Sequence, residues 1–174
     1  MSFNGDVMEK ILVPNTVFFA QVELLLKEGK EVVFYIKGNS MRPFLESGRD
    51  EVILKNALQV RIGDVILAFI EKRYYVLHRV IDIQDEHLVL QGDGNCHTEM
   101  CSIEDVLGKA IGFYRKNKKA PYLTSGRKWR FYSFCWMHLS PFRRFLLAFY
   151  HRIWLKIFPI QIHKKQSDEN SKRI

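Results

Sequence analysis

Three stretches carry side chains that could act together on a carbonyl: "KGNSMRPFLESG" with Ser40, "YYVLHRVI" with His78 and "LVLQGDGN" with Asp93. A serine hydroxyl is a poor nucleophile until a neighbouring base takes its proton. Histidine titrates near neutrality, whereas a lysine must first have its pKa lowered by burial. A carboxylate on the far ring nitrogen would fix the tautomer and stabilise the imidazolium formed during attack, and Asp93 is the first candidate for that role. Taken singly, each residue has an ordinary explanation. A serine after Gly-Asn commonly bonds its own backbone in a turn. A histidine sharing a strand face with Val76 and Val80 is commonly a core residue, and Gly92-Asp93-Gly94-Asn95 reads as a tight turn.

The elements that must position these residues are short. Thr16 to Lys27 has apolar residues at helical spacing, with Asn15 available as a cap and Gly29 as a stop, and predicts an amphipathic helix. The period then changes. Val32 to Ile36, Glu51 to Leu54, Asp64 to Ile70, Tyr74 to Ile83, His87 to Leu90 and Val106 to Tyr114 are runs rich in β-branched and aromatic residues, separated by turn formers. The expected fold is a compact, mainly β domain with a short N-terminal helix and a C-terminal amphipathic helical tail. The expected divisions are 1–30 for the N-terminal segment, 31–114 for the β domain, 115–163 for a basic aromatic tail entered through a linker over 115–125, and 164–174 for a disordered end.

In that order, "GNSMRPFL", "RIGDVILAF", "VLHRVI" and "LQGDGN" resemble the boxes of the serine peptidase clan that holds signal peptidase I and LexA-type repressors. The histidine-bearing branch, the endoplasmic-reticulum and archaeal type of signal peptidase, is the most similar. The resemblance covers about residues 31 to 113. It implies Ser40 as nucleophile and His78 as base. The branch typically carries a second aspartate six residues after the one in Gly-Asp, often as the catalytic acid, and here that position is Glu99. The third member is therefore Asp93 or Glu99. Gly94 stands where the family usually has asparagine. Gly38 would allow close backbone approach beside the nucleophile, amides near Ser40 would form an oxyanion hole, and Met41 and Pro43 would shape the substrate wall. The resemblance also implies a substrate bound extended along a strand edge and chosen by small side chains near the cut.

The net charge of +8 is unevenly placed: residues 1–113 carry a net of −5 and residues 114–174 a net of +13. Basic character thus belongs to the tail. Within Pro141 to Phe158, helical spacing sets Arg143, Arg144, His151, Arg152 and Lys156 on one side and Leu146, Phe149, Tyr150, Ile153, Trp154 and Ile157 on the other. All three tryptophans, Trp129, Trp136 and Trp154, lie in the tail, as suits a headgroup boundary. An anionic membrane surface contacted through 129–163 is one expected partner; packing of this helix on the β domain or a second copy is the alternative.

Cys96, Cys101 and Cys135 make an odd, unpatterned set that fits a reducing compartment. His87, Cys96, His97 and Cys101 match no common zinc frame, and neither a metal nor a cofactor is called for. With no signal-peptide pattern and no long apolar run, a cytoplasmic or peripheral membrane location is expected. The leading expectation is a serine endopeptidase processing a peptide or protein precursor near a membrane. The alternatives are a LexA-like regulator or a non-catalytic scaffold whose basic tail binds nucleic acid or a partner. Against the regulator, no helix-turn-helix precedes the domain and no Ala-Gly hinge site precedes Ser40.

Overall fold

Short β-branched and aromatic runs bounded by glycine turns favour extended chain whose pleated faces need cover. The computed structural model of the chain describes residues 15–116 and 118–157. The expectations for the first 14 residues and the closing polar segment lie outside the described residues. The strands are β1 Val32–Tyr35, β2 Glu51–Lys55, β3 Val65–Ile70, β4 Tyr74–Gln84, β5 His87–Gln91, β6 Glu99–Ser102, β7 Val106–Tyr114 and β8 Tyr122–Leu123. They form one sheet of eight strands in the order β1-β2-β7-β3-β4-β5-β6, with β8 added against β7. Every pairing is antiparallel, and the sheet curls into a half-barrel. The fold is mainly β, as the alternation predicts.

The sheet is covered on both faces. In β3, VILAFI, Val65 and Leu67 point into one core while Ile66, Ala68 and Ile70 point into the other, which is why this strand reads as a continuous apolar run. Helix α1, Asn15–Lys27, covers the first core with Val22 and Leu26. Its end is a Schellman motif. Gly29, at φ +78°, donates its N–H to Leu26 O, and the N–H of Lys30 reaches Leu25 O, both at 3.0 Å. A methyl group at Gly108 on β7 would stand 2.7 Å from a Leu26 methyl, so α1 seats where the strand has no side chain.

The segment after β7 departs from the expected linker and tail. Part of it is β8, and Arg115 lies 3.7 Å from the centre of the Phe44 ring. Helix α2, Arg127–His138, is followed by a 3-10 turn, Ser140–Phe142, then α3, Arg143–Phe149, a π turn, Tyr150–Trp154, and α4, Leu155–Ile157. Trp129 is 4% exposed and belongs to the first core, where its ring meets Phe44 and Phe113 at centroid distances of 4.8 and 4.7 Å. It is a core residue, not an interfacial anchor. Arg143, expected on the exposed basic side of the tail, is also buried, with its guanidinium 5.7 Å from the Trp136 ring centre. The side chains of His151 and Trp154 lie outside the described residues.

Because Trp129 fills the core between Phe44 and Phe113, Trp129→Ala is expected to cost about 3–5 kcal/mol in urea denaturation. A chain ending at Lys119 should lack the near-ultraviolet signature of fixed aromatic packing.

Candidate active site

The Ser40 loop, residues 38–50, is closed at its base by hydrogen bonds from Ile36 N–H to Asp50 O at 2.9 Å and from Gly48 N–H to Ile36 O at 2.8 Å. Within it the chain makes a tight helical turn. Arg42 N–H donates to Asn39 O and Leu45 N–H to Met41 O, while Met41, Phe44 and Leu45 point into the core. The turn is fixed by two ion pairs: Arg42 with the buried Glu46, and Arg49 with the buried Asp50 at 2.7 Å. Asp50 also accepts the N–H groups of Glu46 and Lys116, at 2.9 and 3.0 Å. Ser40 is left half-buried at the start of this turn.

Met41 is 1% exposed, so it anchors the loop from below and does not line a substrate wall as expected. Pro43 is half-buried in the same turn. Gly38 is exposed at φ +91°, with open space where a side chain would be, and its N–H donates to the Ser47 hydroxyl at 3.1 Å. Glycine is needed there for the left-handed backbone, and the close approach expected at Gly38 occurs instead at Gly92 and Gly94.

These two glycines, in the loop leaving β5, bring the Asp93 turn against Asn39 and Ser40. A Cβ on Gly92 would lie 2.5 Å from Ser40 O and 3.0 Å from Ser40 Cβ. One on Gly94 would lie 2.8 Å from Asn39 O, and the Gly94 N–H donates to Ser40 O at 2.7 Å. Gly94 therefore tightens this contact where a larger residue would push the loops apart.

His78 reaches the same place from β4. Strand alternation sets it on the face of Val76 and Val80, as expected, and it is 4% exposed. The β4–β5 ladder ends at the pair Arg79–Gln91, and the same register carried one residue further would set Gly92 across from His78. Side chains of opposed residues leave the sheet on one face with Cβ atoms about 4.5–5.5 Å apart. Gly92 in turn packs on Ser40, so His78 and Ser40 approach the same glycine, one from β4 and one from its own loop. Among the described residues, no hydrogen bond joins the two side chains directly.

The two candidate acids have different neighbours. Glu99 Oε2 lies 2.8 Å from His78 Nδ1, though off the line of the N–H, so the contact is a close approach and not an aligned hydrogen bond. The other Glu99 oxygen accepts a long contact, 3.5 Å, from the Tyr74 hydroxyl. Burial pushes the His78 pKa below its ordinary value of 6.5, and the Glu99 carboxylate works in the opposite direction. Glu99 sits on β6, opposite Leu90, a strand of four residues with no β-branched side chain that the sequence pattern does not reveal.

Asp93 is committed elsewhere. Arg79, wholly buried on the opposite face of β4 from His78, donates Nε and Nη2 to the two Asp93 oxygens, each at 2.8 Å. Its Nη1 donates to Gly63 O at 2.9 Å and to the Ser133 hydroxyl, and its guanidinium stacks 4.9 Å from the Trp129 ring centre. The Tyr132 hydroxyl donates to Asp93 Oδ2 at 2.8 Å, and the Trp136 indole N–H to Asp93 O at 3.1 Å. Burial and the Asp93 charge push the Tyr132 pKa well above 10, keeping it a donor. Sequence reading missed Arg79, Tyr132, Ser133 and Trp136. The signal available was an arginine next to His78 that alternation would bury and that therefore needed a carboxylate.

Among the described residues, no group of three or more histidine, cysteine or acidic side chains could hold a metal ion. Cys101, on β6, is buried in the second core, and burial pushes its thiol up to about 11.

Arg79→Met should leave Asp93 charged and unpaired inside the protein and cost about 3–5 kcal/mol in denaturant titration. A loss below about 1 kcal/mol would mean that Asp93 finds another partner. No family model matches the chain, and no curated protein matches it.

Proposed function

We propose that the chain is a serine endopeptidase in which Ser40 is the nucleophile, His78 the general base and Glu99 the carboxylate that orients the base. The observation that carries this reading is a carboxylate at Nδ1 of a buried histidine whose strand register faces the loop packed on Ser40. The order of the four boxes adds to it. In the reaction, Ser40 Oγ attacks the scissile carbonyl as the free ring nitrogen of His78 takes its proton. The tetrahedral oxyanion forms beside the N–H groups of Ser40 and Met41, which no backbone acceptor takes among the described residues. His78 then returns the proton to the leaving amine, and water releases the acyl group by the same steps. Glu99 stabilises the imidazolium that forms, and substrate contact draws the carboxylate, ring and hydroxyl into line. The substrate class is a peptide or protein precursor held in extended form.

Asp93 acts in this scheme as a positioning residue, through Arg79 and the loop that carries Gly92 and Gly94.

A random peptide library incubated with the protein and read by mass spectrometry is expected to be cut at preferred positions. Ser40→Ala should drop the rate to background while circular dichroism stays unchanged; equal cutting by Ser40→Ala would overturn the reading. Glu99→Gln should lower kcat/KM by about 10⁴-fold at most, with little loss of stability.

The base must be unprotonated to work, and burial lowers its pKa, so the acid limb of kcat/KM should lie below pH 6.5. Glu99→Gln removes the charge that opposes this shift and should move the limb further down. A limb that stays fixed in Glu99→Gln would mean that Glu99 does not face the working base.

A further inference from the structure

The inner faces of α2 and α3 converge on the acidic loop. Tyr132, Ser133 and Trp136 bind Arg79 or Asp93, Arg143 lies against Trp136, and Leu147 is buried. Tyr150, its phenol pushed up by burial and by the Glu46 carboxylate, stands at the nucleophile loop. The residues on the opposite sides of these helices point away from the protein, and many of them are aromatic. Phe131 and Phe145 are 72% and 74% exposed, and Phe134, Phe142 and Phe149 are exposed as well. Five phenylalanines left in water over two helices and the turn between them are far more than a scattered apolar surface requires.

The charge around them has one sign. From residue 106 to residue 167 the chain has no aspartate or glutamate. Arg127, Lys128, Arg130, Arg144, Arg152 and Lys156 are exposed beside the aromatic residues. An open depression next to the start of α2 is lined by Lys118, Tyr122, Arg127 and Lys128. The first turn of α2 has no acidic residue, so its N–H groups add to the positive field. A second copy of the same face would bring this charge against itself, and a nucleic acid would leave most of the phenylalanine rings without an apolar environment.

We infer that the outer face of α2 and α3 docks on an anionic lipid bilayer, with the phenylalanine rings in the acyl boundary and the arginines and lysines at the headgroups. This inference goes beyond the peptidase reading and stands without it. No helix among the described residues is long and apolar enough to cross a membrane, so the contact is made along the surface. Because the inner face of α2 holds the Asp93 loop, docking would set the Ser40 loop at a fixed height above the bilayer.

The test uses the full chain and sedimentation with vesicles of phosphatidylcholine alone or mixed with phosphatidylglycerol. The protein should pellet with the mixed vesicles and not with the neutral ones. Phe131→Glu/Phe145→Glu should reduce partitioning by at least about tenfold, since both rings leave the acyl boundary. Both positions are exposed, so thermal melting should be unchanged. Lys118→Gln/Arg127→Gln/Lys128→Gln should weaken binding chiefly at low salt. Failure of the wild type to pellet with anionic vesicles, or equal pelleting of the phenylalanine variant, would overturn the inference. So would a dimer in equilibrium sedimentation that Phe145→Glu dissolves, or loss of vesicle binding to an equimolar oligonucleotide.

Discussion

The buried pair of Arg79 and Asp93 is the constraint on which the rest of the molecule depends. Two charges removed from water cost several kcal/mol each unless their hydrogen-bonding capacity is filled. Here both Asp93 oxygens meet Arg79, and the remaining guanidinium donors go to Gly63 O and Ser133. Each partner comes from a different element. Gly63 belongs to the turn before β3, Arg79 to β4, Asp93 to the loop after β5, and Ser133 to α2. Satisfying one ion pair therefore fixes four pieces of chain at once.

The site is built on the other side of the same strand. Arg79 points to one face of β4 and His78 to the other, so locking the first holds the ring of the second in place. The Asp93 loop, pinned through its side chain, offers Gly92 and Gly94 to the nucleophile turn. Polar groups thus do the positioning at both ends: Arg79–Asp93 beneath the strand that carries His78, and Arg42–Glu46 with Arg49–Asp50 under Ser40. The apolar cores supply the cohesion, and the ion pairs select which loops meet.

Much of this was legible in the residues. Strands β1 to β5, β7 and helix α1 follow from period and turn formers, and alternation along YYVLHRVI set His78 on its observed face. What escaped depends on contacts distant in sequence. Glu99 could not be separated from Asp93 because β6, EMCS, has no strand pattern of its own and exists by pairing with β5. Met41 was expected in the substrate wall because the helical turn that drops it into the core is set by backbone bonds and buried ion pairs. The tail read as an appendage because its helical period is the same whether the apolar side meets lipid or protein. Trp129 and Tyr132 could be assigned inward only once Arg79 and Asp93 had fixed what α2 covers.

The span of the Arg79 network along the chain has a consequence for synthesis. Ser40, His78 and Glu99 leave the ribosome well before Tyr132, Ser133 and Trp136. Until α2 arrives, Arg79 lacks its Ser133 partner, Asp93 lacks Tyr132 and Trp136, and the first core lacks Trp129. Domains order as units when their last long-range contacts form. The growing chain thus carries Ser40, His78 and Glu99 before the contacts that fix their loops exist, and the last helix of the core decides when those contacts form.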